Sequence, residues 1–310
     1  MNVGINILFR LLSTLFGIEG LFLLFKPSLF SYLGFSPSGI DTTISSPFNQ
    51  QLLTPSYYGF FIALSCICGY AATFKSLHDK SKVARSLFYV FVGILHALVN
   101  DCWHGKTQLF QSLQSAYVHG GIVAALGVWN LIACFASTSD DVQPKKNVSL
   151  HSKHATTTAI NNIYFRSLAL LWAIQGSLLW FFPKYIPTIL GVSITGHELS
   201  SKTIMSDWSL IGVGSLGIAC STLAFYSSTF SSKHSQAKIA RGFFLYWLLF
   251  LIASWQQHNH SPQLSDVTQM IHLVICTLAF IGSTIVSFSA YEEDTEWRRR
   301  AGKQATAKAN

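Results

Sequence analysis

The sequence predicts an all-α polytopic membrane protein: eight transmembrane helices in two parallel four-helix repeats, with both termini in the cytoplasm. Three observations predict this fold: an apolar composition, an asymmetry of positive charge and an internal repeat. Half of the 310 residues are hydrophobic and only 11% are charged, against roughly 25% charged in soluble proteins. Eight apolar runs are long enough to cross a hydrocarbon core of about 30 Å, near residues 5–25, 57–74, 86–103, 116–136, 164–182, 208–227, 241–256 and 269–289.

The distribution of lysine and arginine predicts the orientation. Seventeen of these 21 residues fall on the side that holds both termini and the loops after even-numbered spans. The positive-inside rule assigns that side to the cytoplasm. The same asymmetry accounts for the net charge of +8, so we expect no nucleic-acid partner. The six cysteines have no zinc-type spacing, and we expect neither a metal nor another cofactor.

An interval of 156 residues relates the two halves. "FRLLSTLFGIEGLFLLFKP" at 9–27 returns as "FRSLALLWAIQGSLLWFFP" at 165–183, with nine of nineteen positions identical. "KVAR" at 82–85 returns as "KIAR" at 238–241. Because each half has an even number of spans, both halves enter from the same side and form parallel repeats. The predicted organisation is a first four-helix repeat, a polar flexible linker, a second four-helix repeat and a charged cytoplasmic tail, at 1–136, 137–162, 163–290 and 291–310.

The tail carries "RRR" at 298–300. This motif is interpreted as an interfacial anchor or as an arginine-based retention signal, and we favour the endoplasmic reticulum over the plasma membrane. Membrane lipids are the expected partners, and the sequence does not predict the oligomeric state.

A glycine-rich motif lies within the sixth predicted span. "GVGSLG" at 212–217 matches the GxGxxG pattern, but it has neither the preceding strand nor the following acidic residue of a dinucleotide site. We expect these small residues to let two helices approach closely.

Polar groups inside apolar helices are costly and indicate a functional site. Glu19 is the clearest of them, and its equivalent in the second half is Gln175. The third span places further polar residues on one helical face at i, i+4 and i+8. We expect a pocket open toward the outer side, with catalytic residues Glu19, Asp101 and His96 and substrate-binding residues Asn100, His104, His119, Gln175, Gln256 and Trp103.

This arrangement suits acid chemistry on an apolar substrate. A carboxylic acid kept protonated in an apolar setting can act as a general acid, and aromatic faces stabilise cations. Tyr89, Trp172 and Trp247 are candidates to line such an interior. We expect an intramembrane isomerase or cyclase of an isoprenoid- or sterol-like lipid. The alternatives are a transporter of a small lipophilic or protonated solute and a non-catalytic scaffold or lipid-binding protein, in which Glu19 only hydrogen-bonds a neighbouring span.

One segment of the third span resembles a known family. "GILHALVNDCWHG" at 93–105 is similar to the His-x-x-x-Glu helix of the emopamil-binding, sterol-isomerase family, with Asn100 where that family has glutamate. The eight-span layout is similar to that of some fungal integral-membrane terpene cyclases. Both resemblances imply isomerisation or cyclisation of a lipophilic substrate, and the first implies a role for His96 and Asn100.

Overall fold

The computed structural model describes residues 2–26, 54–102, 110–135, 152–182, 207–230, 232–258 and 270–288. The regular structure in these ranges is entirely helical and consists of eight helices. They are α1 (Asn2–Phe25), α2 (Thr54–Ala71), α3 (Leu77–Cys102), α4 (Leu113–Cys134), α5 (Ser152–Phe181), α6 (Asp207–Ser227), α7 (Lys233–His258) and α8 (Met270–Phe288).

Six of these helices, α1, α3, α4, α6, α7 and α8, are long and apolar enough to cross a membrane. Helices of this length satisfy their own backbone hydrogen bonds, as lipid requires. The chain is therefore an integral, multi-pass membrane protein. Many apolar side chains are exposed, such as Leu278 at 65% on α8 and Phe135 at 77% directly after α4. This exposed apolar surface suits contact with lipid chains.

Three helices, α3, α5 and α7, begin eight or more residues earlier than the apolar runs predict, and α7 starts at Lys233. α5 starts at Ser152, so the second part of the predicted linker is helical. α3 starts at Leu77, and its first two turns are buried although they are polar; Asp79, Lys80 and Ser81 are at most 1% exposed. Hydropathy predicts only the part of a helix that can face lipid. The helix itself is longer, because its polar end is buried by other helices.

The helices pack in two runs of neighbours. α1 packs on α2, α2 on α7, and α7 contacts α8 through the rings of Phe244 and Phe280, 4.9 Å apart. In the second run α5 packs on α6, α6 on α3, and α3 on α4. Each run therefore joins a helix pair from one half of the sequence to a helix pair from the other half.

Contacts between described helices recur at an interval of 156 residues. In the α1–α2 pair the Ser65 hydroxyl donates to the carbonyl of Ser13, and in the α5–α6 pair the Ser221 hydroxyl donates to the carbonyl of Ala169. Between the halves, Lys82 Nζ donates to Thr229, and Lys238 Nζ donates to Thr73. Equivalent positions of the two halves therefore make equivalent contacts.

Phe74 and Phe230 form one of the contacts between the two halves of the sequence. These residues are themselves 156 apart in sequence, and their rings make an edge contact with centroids 5.9 Å apart.

The glycine motif of α6 lies at a close helix crossing, as the sequence predicts. A Cβ added at Gly214 would lie 2.6 Å from the Trp180 nitrogen, and one at Gly217 would lie 3.1 Å from Gly176 Cα. α5 and α6 therefore touch backbone to backbone at this point, which only glycine permits.

Candidate functional site

Glu19 borders the buried face of α1. Leu12, Phe16 and Gly20 on this face are buried, and Glu19 is half-buried beside them. At 1.5 Å per residue, the Glu19 Cα lies about 24 Å along the helix from Val3. Its carboxyl group makes no hydrogen bond or ion pair with another described residue. A membrane-embedded acid without an internal partner is available to a ligand or to water.

Gln175 occupies the equivalent place in the second half. It is half-buried on α5 beside Gly176, and a Cβ on Gly176 would lie 2.8 Å from the Ile218 nitrogen. In the first half a Cβ on Gly20 would lie 3.1 Å from the Ile62 nitrogen. The two crossings are alike, so the carboxyl and the amide occupy comparable surroundings.

His96 is bonded to the other half of the chain. Its Nδ1 accepts a hydrogen bond of 2.9 Å from Trp180 Nε1. This bond means that Nδ1 carries no proton in the bonded state. His96 and Asn100 are exposed and Asp101 is half-buried, all on α3. α1 packs mainly on α2, whereas α3 packs on α4 and α6, so the predicted acid and its predicted partners lie on helices that are not principal neighbours.

The remaining predicted residues divide into two groups. His119 is half-buried on α4, where a ring nitrogen lies 2.9 Å from the carbonyl of Ser115 and the ring lies 4.9 Å from that of Phe110. Phe110 packs on Leu98 of α3, so His119 lies near the C-terminal part of that helix. The side chains of Trp103, His104 and Gln256 lie outside the described residues.

We expect loss of the His96–Trp180 hydrogen bond to lower the unfolding free energy only slightly. Trp180→Phe removes the donor and keeps a ring beside Phe181, 5.7 Å away. Because His96 is exposed and can bond water instead, we expect unfolding in detergent to become easier by about 0.5–1 kcal/mol. A double-mutant cycle with His96→Ala measures this coupling, and a coupling near zero would contradict the bond.

A buried aromatic cluster lies between α2, α5 and α7. Phe60 and Tyr246 are stacked at 4.4 Å, and Trp172 and Trp247 are stacked at 5.6 Å with planes 2° apart. Trp172 contacts Tyr246 edge-on at 5.7 Å. Of the three rings that the sequence places as candidates for the interior, Trp172 and Trp247 are buried, whereas the candidate Tyr89 is wrong, since its side chain is 39% exposed. We call this set the aromatic cluster: Phe60, Trp172, Phe243, Tyr246, Trp247 and Phe250.

Polar atoms within the aromatic cluster differ in their partners. The Tyr246 hydroxyl hydrogen-bonds the side chain of Ser56. The indole N–H groups of Trp172 and Trp247 are buried and have no hydrogen-bond partner among the described residues. Sequence reasoning places these rings inside but does not show that their donors are left unused, because that depends on neighbours from three helices.

Within the described ranges, no group of three or more histidine, cysteine, aspartate or glutamate side chains could hold a metal ion. Comparison of the chain with protein-family models, curated proteins and solved structures finds no match.

Proposed function

We propose that the chain crosses the membrane eight times as two parallel repeats, with both termini in the cytoplasm. The recurrence of contacts at 156 residues supports a duplication, and the packing of α2 on α7 and of α6 on α3 supports an exchange of helix pairs between the halves. The two helices outside those six, α2 and α5, complete the eight spans. We favour the endoplasmic reticulum as the location.

We further propose that the protein is an intramembrane enzyme that isomerises or cyclises an isoprenoid- or sterol-like lipid. The observation that carries this proposal is Glu19, an acid in a membrane-spanning helix with no partner among the described residues. The equivalent Gln175 occupies similar surroundings, so packing at this position does not require a carboxyl group. The carboxyl therefore has a role beyond packing.

In the proposed reaction the protonated Glu19 carboxyl donates its proton to an alkene or epoxide of the substrate. Protonation leaves a carbocation, and loss of a proton from a neighbouring carbon restores a neutral product of unchanged mass. The Glu19 carboxylate accepts that proton, or Asp101 or His96 does so as a second acid–base group. Aromatic faces stabilise the cation while it exists.

The test is metabolite profiling of the native cell with the gene deleted, restored, and restored as Glu19→Gln. We expect a lipophilic compound to be replaced by an isomer of equal mass in both the deletion and the Glu19→Gln strain. Thr14→Ala is the control, because Thr14 is exposed on the same helix and bonds only its own helix carbonyl. A Glu19→Gln strain with the wild-type profile would exclude the enzyme and leave Glu19 as a packing residue of a scaffold.

A transporter is the second candidate, because parallel repeats are a feature of some transporter folds. It predicts a different result in the same cells. The lipophilic solute would accumulate on one side of the membrane in the deletion strain without chemical conversion. Uptake into vesicles that depends on a proton gradient and on Glu19 would establish this function.

A further inference from the structure

The two tryptophans of the aromatic cluster carry hydrogen-bond donors that the described protein does not use. Trp172 is 0% exposed and Trp247 is 3% exposed, and neither indole N–H has an acceptor in the part of the chain that the structure describes. Leaving a buried donor unpaired is costly, and nearly all buried polar groups in native proteins have a partner. Two such donors on stacked rings therefore require an explanation.

Packing alone does not require these donors. The positions equivalent to Trp172 and Trp247 in the first half are Phe16 and Phe91, and both are buried, at 4% and 3% exposed. Phe16 packs on Phe61 with ring centroids 5.9 Å apart. A phenyl ring therefore fills each of these two positions in the first half of the sequence. In the second half each position has an indole ring, which adds an N–H donor.

The surroundings offer only weak acceptors. Trp172 makes edge contacts with the rings of Phe243 and Tyr246, and Trp247 makes one with Tyr246. An N–H contact with a ring is a second-order interaction. The hydroxyl of Tyr246, whose ring contacts both indoles, is bonded to Ser56 on α2. A stronger acceptor for the two donors would come from a molecule that enters from the membrane.

We propose that the indole N–H groups of Trp172 and Trp247 bind an oxygen acceptor, a hydroxyl, carbonyl or ether group, on a lipophilic molecule at the aromatic cluster between α2, α5 and α7. The choice of an isoprenoid- or sterol-like ligand rests on the function proposed above. The donors fix the polar end of the ligand, and the aromatic faces pack on its apolar body. Glu19 lies in the first half of the sequence and both tryptophans lie in the second half, so oxygen recognition is separate in sequence from proton donation.

Photolabelling of the full-length protein in detergent tests this site. The probes are a diazirine-bearing sterol and a diazirine-bearing linear isoprenoid alcohol, each compared with its analogue that lacks the hydroxyl group. We expect at least one alcohol to label wild type, and Trp172→Phe and Trp247→Phe each to reduce labelling about five-fold. The deoxy analogues should not distinguish the variants. Trp129→Phe is the control, because Trp129 is 36% exposed on α4.

Ultraviolet resonance Raman spectroscopy of wild type gives a second readout that does not depend on the folding of a variant. The band that reports indole N–H hydrogen bonding should shift when the labelling alcohol is added and stay unchanged with the deoxy analogue. Equal labelling of the tryptophan variants and wild type, or an indole band that neither alcohol shifts, would overturn the proposal.

The outcomes of the two proposals are separable. Glu19→Gln should keep tryptophan-dependent labelling while it loses the product, if both proposals hold. Tryptophan-dependent labelling with a wild-type metabolite profile for Glu19→Gln would retain the site and exclude the enzyme. If Glu19→Gln loses the product but Trp172→Phe and Trp247→Phe are labelled like wild type, the enzyme proposal stands and this site is excluded.

Discussion

Gly214→Ala should destabilise the protein by about 3 kcal/mol, the upper part of the range for overpacking a well-packed contact. The added methyl group would lie 2.6 Å from the Trp180 nitrogen, 2.9 Å from the Gly176 oxygen and 3.0 Å from the Leu179 carbonyl carbon. All three are backbone atoms of α5, so no side-chain rotation relieves the overlap. α5 and α6 would have to separate, and the contacts along their whole crossing would weaken.

The measurement is the unfolding free energy of the full-length protein in detergent, by denaturant titration followed by tryptophan fluorescence. Gly121→Ala is the matched control, because Gly121 also lies in an apolar helix but no atom lies within 4 Å of an added Cβ. We expect that control to unfold like wild type or slightly later, since alanine favours a helix. Equal stability of the two variants would contradict the close crossing.

The position of this crossing was predictable from sequence because it depends on residue size alone. Small residues at 214 and 217 permit backbone approach wherever another helix crosses, and the structure confirms that interpretation. The apolar runs likewise indicate where helices lie. They underestimate the length of α3, α5 and α7, because polar and charged residues such as Lys80 extend a helix that other helices bury. Hydropathy cannot show that burial in advance.

The neighbours of the candidate site were less predictable. Helical spacing places His96 and Asn100 on one face, and both are exposed on α3. The partner of His96, however, is Trp180, which lies 84 residues away on α5. Such a contact depends on how helix pairs from the two halves combine. A repeat in the sequence shows that the halves are alike, but not which helix of one half packs on which helix of the other.

The same limit applies to the aromatic cluster. The composition indicates many aromatic side chains, and a position within an apolar span allows either a lipid-facing or an inward ring. Tyr89 and Trp172 both lie in such spans, yet one is 39% exposed and the other is fully buried. The difference arises from the packing of α2 and α7 around Trp172, which is a property of the assembled bundle.

The repeated lysines of the "KVAR" and "KIAR" motifs should differ in their contribution to stability. Lys82 is 8% exposed, and its Nζ donates to both the carbonyl and the hydroxyl oxygen of Thr229, at 2.9 and 3.0 Å. It also lies 5.9 Å from the ring centroid of Phe230. Lys238 is half-buried and donates to the Thr73 hydroxyl at 2.9 Å. Only the first lysine satisfies a backbone carbonyl beyond a helix C-terminus, where a cation is favoured.

We therefore expect Lys82→Met to lower the unfolding free energy by about 2 kcal/mol, the loss of a charge-assisted hydrogen bond. Lys238→Met should cost less than about 1 kcal/mol, because solvent replaces an exposed polar contact. Methionine keeps the aliphatic stem in both variants, so the comparison isolates the ammonium group. Denaturant titration of both variants in one detergent measures the difference. Equal costs would mean that the Thr229 carbonyl finds another donor and that the two contacts between the halves are energetically equivalent, as the repeat in sequence alone would suggest.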